Sequence, residues 1–191
     1  LPEGERVAAE VAHLFTLLER ARWAVAASFT GPAALPDQIW ATCRFPRGYM
    51  DFSTTDQVPA DEIELLHLGD LPPSAPEWRH RARVATYPNL KALTLFNMRL
   101  GRHDLGIELF RLGQLQCLDL RENGLERVPI EVMACGPLRF LDLSSNPIFE
   151  PPDLAAWPGL AYLGLRETRV PEATLAALRR QWPGVLIDGA D

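Results

Sequence analysis

The 191-residue sequence predicts an α/β solenoid, a stack of repeated units that each consist of a short strand and a return segment. Two observations predict this class. A leucine-rich pattern recurs every 22 to 25 residues, and a single proline-free amphipathic stretch lies N-terminal to all of the copies. We expect residues 1–60 to form an N-terminal helical and irregular capping region. Residues 61–191 should form the repeat domain.

The repeat is clearest in residues 115–125, LQCLDLRENGL, and in residues 138–148, LRFLDLSSNPI. Both segments match the pattern LxxLxLxxNxL, with Ile148 as the apolar residue at the last position of the second. Residues 90–100 and 160–170 keep the apolar positions but replace the asparagine. The spacing between successive copies, 25, 23 and 22 residues, lies in the range of about 20 to 29 residues known for such repeats.

Weaker copies flank the four clear ones. IELLHL at residues 63–68 predicts a divergent first strand, and WPGVLIDG at residues 182–189 predicts a closing cap. Terminal repeats are expected to diverge because they must shield a core that has no further neighbour.

The pattern resembles the repeat of the leucine-rich-repeat family, and the resemblance covers about residues 63–190. It implies a curved stack in which short parallel strands line the concave side, and loops or short helices line the convex side. Side chains alternate between the two faces of a strand, so the motif leucines should point inward and the intervening residues should face the concave side. Asn123 and Asn146 stand at the motif's asparagine position, where a side-chain amide can satisfy backbone groups as the chain leaves the strand. We expect them to form a structural asparagine ladder that ends at Met98 and Thr168.

The segments between the copies predict the return paths. Residues 172–182 carry leucines at helical spacing between two prolines, which predicts a short convex helix with Pro171 at its first position. Residues 106–113 are bounded by glycines and predict a second short helix. Residues 149–159 contain three prolines and predict an extended or turn-rich return.

The N-terminal region predicts an amphipathic helix over residues 3–29, because its apolar residues alternate at spacings of four and three. They are Val7, Val11, Leu14, Leu18, Ala21 and Val25. We expect this helix to pack across the open end of the solenoid. The same spacing is also compatible with partner binding or with a homodimer. Residues 31–59 are rich in Gly, Pro and Thr and predict irregular structure.

Composition and motifs exclude several function classes. A net charge of −6 offers no attraction to phosphate backbones or anionic membranes, so neither nucleic acid nor membrane is an expected partner. The three cysteines and four histidines lack metal-ligand spacing, and no catalytic or phosphate-binding motif is present. We therefore expect no metal, no cofactor, no catalytic residue and no enzymatic activity. Few cysteines and no membrane-spanning apolar run favour a cytoplasmic protein, with a secreted effector or a trimmed chain as alternatives.

The predicted register also places a set of candidate partner-binding residues on the concave face. Aromatic residues and arginine are the usual anchors of protein interfaces, and mixed charges suit a specific protein surface. The candidates are Phe96, Asp119, Arg121, Glu122, Phe140, Asp142, Tyr162 and Arg166.

We expect a protein-interaction module, bacterial by its Ala, Arg, Leu, Gly and Pro-rich composition, that acts as an adaptor, a recognition subunit or an inhibitor. The alternative is the substrate-recognition region of a larger enzyme, such as a bacterial effector-type ubiquitin ligase or a signalling protein, whose catalytic domain lies outside this chain.

Overall fold

A single parallel sheet organises the part of the chain that the computed structural model describes, namely residues 61, 65–69, 84–102 and 112–189. Its six strands lie side by side in chain order. They are β1 (Leu65–Gly69), β2 (Ala92–Phe96), β3 (Cys117–Asp119), β4 (Phe140–Asp142), β5 (Tyr162–Leu165) and β6 (Leu186–Gly189). This order confirms the predicted solenoid, including its divergent first strand, and the closing segment adds a sixth strand. The predicted N-terminal cap lies outside the described residues, as does nearly all of the helix predicted over residues 106–113.

The strand register matches the alignment of the repeats. Ala92 pairs with Cys117, Cys117 with Phe140, and Phe140 with Tyr162, so equivalent positions of successive units lie side by side. Tyr162 pairs in turn with Leu186. Each column of equivalent positions therefore runs straight across the sheet.

The core lies on one face of this sheet and consists mainly of the motif leucines. Leu93, Leu118, Leu141 and Leu163 are fully buried in it, one from each of four successive strands. Because strand side chains alternate in direction, the residues directly before and after each of these leucines project from the opposite, concave face.

The return segments close the core from its other side. A short helix, α1 (Ile130–Met133), follows β3, a 3-10 turn at Leu154–Ala156 follows β4, and α2 (Glu172–Gln181) follows β5. The position of α2 confirms the helix predicted there, although Pro171 caps the helix instead of occupying its first turn. The proline-rich return contains that 3-10 turn, a further turn and otherwise no regular structure, which agrees with the prediction of an extended or turn-rich segment, whereas α1 was not predicted.

The two asparagines connect each unit to the one before it. Oδ1 of Asn123 accepts a hydrogen bond from the Met98 backbone N at 2.8 Å, and its Nδ2 donates to the Leu95 carbonyl at 2.6 Å. Asn146 repeats this pattern one unit later, with Oδ1 accepting from Asn123 N at 2.9 Å and Nδ2 donating to the Leu120 carbonyl at 2.9 Å. The predicted asparagine ladder is therefore present.

The ladder ends as expected on its C-terminal side. Thr168 occupies the equivalent position in the next unit, and its hydroxyl donates to the Leu165 carbonyl of its own unit at 2.8 Å. This shorter side chain stabilises its own turn, whereas each asparagine amide also binds the preceding turn.

The residue before each ladder position adopts a left-handed backbone conformation, with φ between 50° and 58°. These residues are Asn97, Glu122, Ser145 and Glu167. None of them is glycine, so each turn carries a local conformational cost of about 1 kcal/mol or more. The ladder contacts on either side of each turn offset this cost.

Replacing Asn146 with alanine should destabilise the fold strongly. The change leaves the buried N–H groups of Asn123 and Leu125 without their acceptor, and it removes one of the two side-chain amides that donate to the Leu120 carbonyl. We expect the free energy of unfolding, measured by urea denaturation, to fall by about 3 kcal/mol. Thr168→Ala is the matched control and should lose about 1 kcal/mol, because it removes one hydrogen bond within a single unit. Equal losses for the two variants would contradict the role of the ladder between units.

Close packing between neighbouring turns depends on Gly101. Its N–H donates to the Asn123 carbonyl at 2.9 Å, and a Cβ at this position would strike the Gly124 carbonyl group. We expect Gly101→Ala to reduce the free energy of unfolding by about 2 kcal/mol in the same assay. Gly113→Ala serves as the control, because a Cβ there meets no atom within 4 Å. A smaller loss at Gly101 than at Gly113 would contradict this packing argument.

Candidate functional site

The concave column that runs from Ala92 through Cys117 to Tyr162 forms a second apolar cluster, separate from the main core. Cys117, Phe140, Ala161 and Tyr162 are its buried members, and Ala92 packs at its edge. The rings of Phe140 and Tyr162 are stacked, with centroids 4.6 Å apart and planes inclined by 8°. The parallel register places these two rings directly side by side.

These aromatic side chains are almost inaccessible to solvent. Phe140 is 1% exposed and Tyr162 is 2% exposed, although both project from the concave face. The sequence analysis treated both residues as available surface anchors. In the structure both rings are buried, and each is stacked on the other.

The concave column two residues further along the strands holds two buried carboxylates that share one arginine. Asp119 and Asp142 occupy paired positions on β3 and β4. Arg121 binds Asp119 through Nη2 to Oδ2 at 2.8 Å and Nε to Oδ1 at 3.0 Å, and its Nε lies 3.5 Å from Oδ2 of Asp142. The guanidinium carbon of Arg121 also lies 5.8 Å from the centre of the Phe96 ring. One cation therefore faces two anions in a poorly hydrated setting.

This arrangement raises the pKa of Asp142 above its ordinary value. Burial is the main cause and the neighbouring Asp119 charge adds to it, while a backbone hydrogen bond from Ser144 N at 3.0 Å and the charge of Arg121 oppose it. Space for the carboxylate comes from Gly164, where a Cβ would collide with the Asp142 side chain. Glycine at this position of the next unit therefore leaves room for the Asp142 carboxylate, which the Cβ of any other residue would displace.

The polar network continues to the last strand. Oη of Tyr162 donates to Oδ2 of Asp188 at 3.1 Å, and Nε of Arg166 donates to Oδ1 of the same carboxylate at 2.7 Å. Burial and the charges of Asp142 and Asp188 raise the pKa of Tyr162, so its hydroxyl stays protonated and donates. Asp188 therefore orders both the buried aromatic stack and an exposed arginine.

Solvent reaches only part of the predicted surface. Among the eight predicted residues, Glu122 and Arg166 are exposed and Arg121 is partly buried, while the other five are buried. Near the C-terminal end of the sheet, Glu167 is also exposed, and Leu186 is 47% exposed. Around β5 and β6 these residues form a mixed-charge patch, which we call the C-terminal patch: Arg166, Glu167, Leu186 and Asp188.

Sequence reasoning missed Leu186, Asp188 and Gly164. The segment WPGVLIDG was interpreted as a cap, so its residues were not aligned with the strand columns. The available signal was the alternation of Leu186, Ile187 and Asp188, in which the middle residue is apolar and buried like the motif leucines. Gly164 lies between two motif leucines in the sequence, but a glycine in a sequence does not show which neighbouring side chain fills its space.

The described residues offer little for covalent or metal chemistry. Burial raises the pKa of the Cys117 thiol to about 12 and that of Cys135 to about 11, so both remain protonated. Within the described ranges, no group of three or more His, Cys, Asp or Glu side chains is placed to hold a metal ion. None of the helices found in those ranges is long and apolar enough to cross a membrane.

One family model agrees with the repeat pattern. Residues 137–157 match the family model described as Leucine Rich Repeat. Among solved structures, a leucine-rich-repeat protein of Leptospira interrogans is similar at 24% sequence identity and a TM-score of 0.47. The match covers 56% of this chain and 27% of the Leptospira chain. No curated protein is significantly similar in sequence.

The raised pKa of Asp142 predicts a pH dependence of stability with a definite sign. The folded protein holds this proton more tightly than the unfolded chain does, so the site's contribution to stability falls as pH rises from about 4 toward neutral. Asp142→Asn keeps an acceptor for Ser144 N but carries no charge. We expect the stability of the variant relative to wild type to increase between about pH 4 and pH 7 in urea unfolding.

Glu150→Gln, which removes the charge of an exposed carboxylate, is the control for this measurement. A wild-type protein that gains stability relative to Asp142→Asn over this pH range would contradict the assignment.

Proposed function

Because this chain is a leucine-rich-repeat protein, we propose that it is a protein-interaction module whose concave surface binds a protein partner. The C-terminal patch, which is an accessible part of that surface, carries the proposal. There an exposed arginine, an exposed glutamate and a half-exposed leucine lie on or beside neighbouring strands of one rigid sheet. Arginine beside an exposed apolar side chain is a common composition of protein interfaces.

The eight residues predicted from the sequence then divide into two roles. Glu122 and Arg166 contact the partner directly. Phe96, Asp119, Arg121, Phe140, Asp142 and Tyr162 hold the shape and charge of the surface from beneath. Tyr162 links the two groups, because its hydroxyl and Arg166 bind the same Asp188 carboxylate.

An adaptor, a recognition subunit and an inhibitor would all use the surface in this way. Recognition of a substrate for a larger enzyme would use it as well and would differ only in what the repeat domain is connected to. The described residues offer binding chemistry, with charged and apolar side chains on a rigid sheet, and we propose no catalytic role for them.

Charge reversal at Arg166 tests the binding surface. The side chain is 69% exposed, so Arg166→Glu should leave the melting temperature nearly unchanged. Cross-linked affinity capture followed by mass spectrometry identifies the partner of the wild-type chain. Titration of that partner should then show binding weakened by about tenfold or more in the variant, which is typical of an interface anchor.

Arg180→Glu is the matched control, because Arg180 is an exposed arginine on the convex helix α2. Equal partner affinity for the two variants would contradict binding through the C-terminal patch. Phe140→Ala is unsuitable for this test. Its ring is buried, so the variant should lose about 3 kcal/mol of stability even without a partner.

A further inference from the structure

The last strand of the sheet, β6, has one edge that faces β5 and one outer edge. Leu186 N donates to the Ala161 carbonyl at 2.8 Å, so the backbone groups of Leu186 point toward β5. Successive residues of a strand direct their backbone groups to opposite edges, and those of Ile187 and Gly189 therefore point to the outer edge. Within the residues that the structure describes, no strand pairs with this edge. Such an edge is a template on which another chain can add a strand.

One arginine of α2 covers this outer edge. Nη2 of Arg179 donates to the Gly189 carbonyl at 2.6 Å, and its Nε donates to the Ile187 carbonyl at 3.2 Å. Its Nη1 donates to Oε1 of Glu172 at 3.0 Å, which fixes the orientation of the guanidinium. The planar group therefore binds both outward carbonyls at once, where an added strand would place its own N–H groups.

Close packing of α2 on β6 brings Arg179 within reach of the edge. A Cβ at Gly189 would lie 3.2 Å from Cδ1 of Leu175, so the glycine allows the helix to approach the strand closely. Leu175 is buried in the main core, and Arg179 follows it four residues later on the same side of α2. The Arg179 side chain therefore reaches the outward carbonyls from the core side of the sheet.

The concave side of β6 also lacks the shielding that a further strand would give. Leu186 is 47% exposed, whereas Phe140 and Tyr162 of the same column are at most 2% exposed. Each of those two residues has a strand on both sides, and Leu186 has a described neighbour only in β5. Addition of one strand at the outer edge would cover an apolar flank of Leu186.

A second copy of this chain fits the edge through its own β6. Two identical edges pair antiparallel about a two-fold axis, and residues that face outward then exchange hydrogen bonds in pairs. With Ile187 opposite Ile187 of the second copy, Leu186 lies opposite Asp188, so no like charges face one another. Pairing of Ile187 with Gly189 would instead place Asp188 opposite itself, which charge repulsion disfavours. The charge of Asp188 therefore selects the first register.

We propose that the outer edge of β6 is a strand-pairing site for a second copy of this chain, and that Arg179 keeps this site closed. Pairing requires Arg179 of each copy to release the Ile187 and Gly189 carbonyls, so the unaltered chain stays monomeric. The site borders the C-terminal patch. The proposal concerns contacts between two copies and holds or fails independently of any other partner.

Sedimentation equilibrium of the 191-residue chain tests the site. Arg179→Met keeps an unbranched side chain but removes every donor to the two carbonyls. Arg180→Met is the matched control, because Arg180 is an exposed arginine at the next position of the same helix. We expect the dimer dissociation constant of Arg179→Met to be lower than that of the wild type and of the control by about tenfold or more, since charged donors no longer compete with pairing. Thermal melting by circular dichroism checks that each variant is folded.

Charge at position 186 tests the register in the Arg179→Met background. Leu186→Asp places a like charge opposite Asp188 of the second copy, and Leu186→Lys places an opposite charge there. The two-fold axis repeats each contact, so the effect of the charge counts twice. We expect Leu186→Asp to dimerise more weakly than Leu186→Lys by about threefold or more.

Three results would overturn the proposal. The first is equal association of Arg179→Met and Arg180→Met when both are folded. The second is equal association of Leu186→Asp and Leu186→Lys, because the contact would then lie elsewhere. The third concerns Arg179→Lys, which keeps the charge but cannot bind two carbonyls as a fork and should also dimerise more tightly than the wild type. Unfolding of both Arg179 variants would mean that Arg179 holds the fold together and does not cover an accessible edge.

Discussion

The stacking of units in this protein depends on how the backbone is satisfied where each strand ends. At that point the chain turns sharply through a left-handed residue, and several buried N–H and C=O groups have no strand partner. The amides of Asn123 and Asn146 bind those groups in two successive turns at once. This coupling holds the strands in register, and the register in turn brings equivalent side chains into columns.

The columns explain why the concave face combines buried charge with stacked aromatic rings. Asp119 and Asp142 lie side by side because they occupy the same position in adjacent units. Repetition alone would place two like charges together without compensation. Arg121 and the small Gly164 make the pair tolerable, one by charge and the other by space. Arg121 and Gly164, which are not fixed by the repeat motif, thus stabilise the pair of carboxylates that the repeat brings together.

Much of this architecture could be predicted from the sequence because it arises from local periodicity. The leucine spacing predicted the strands and their register, and the prolines around α2 predicted that helix. Exposure could not be predicted in the same way, since the burial of Phe140 and Tyr162 depends on how their side chains pack across adjacent units. The role of Asp188 was missed for a related reason, because the last strand lacks most of the motif that revealed the others.

The left-handed residues also determine which parts of the concave surface can be altered by protein engineering. Glu122, Ser145 and Glu167 face solvent at least in part, yet each has a positive φ that valine, isoleucine and threonine adopt poorly. A library that varies these positions freely would lose many members to misfolding before any selection for affinity. Diversification is better directed to Arg166 and Leu186, where no such backbone constraint applies, with asparagine, aspartate or glycine as the tolerated substitutes at the turns.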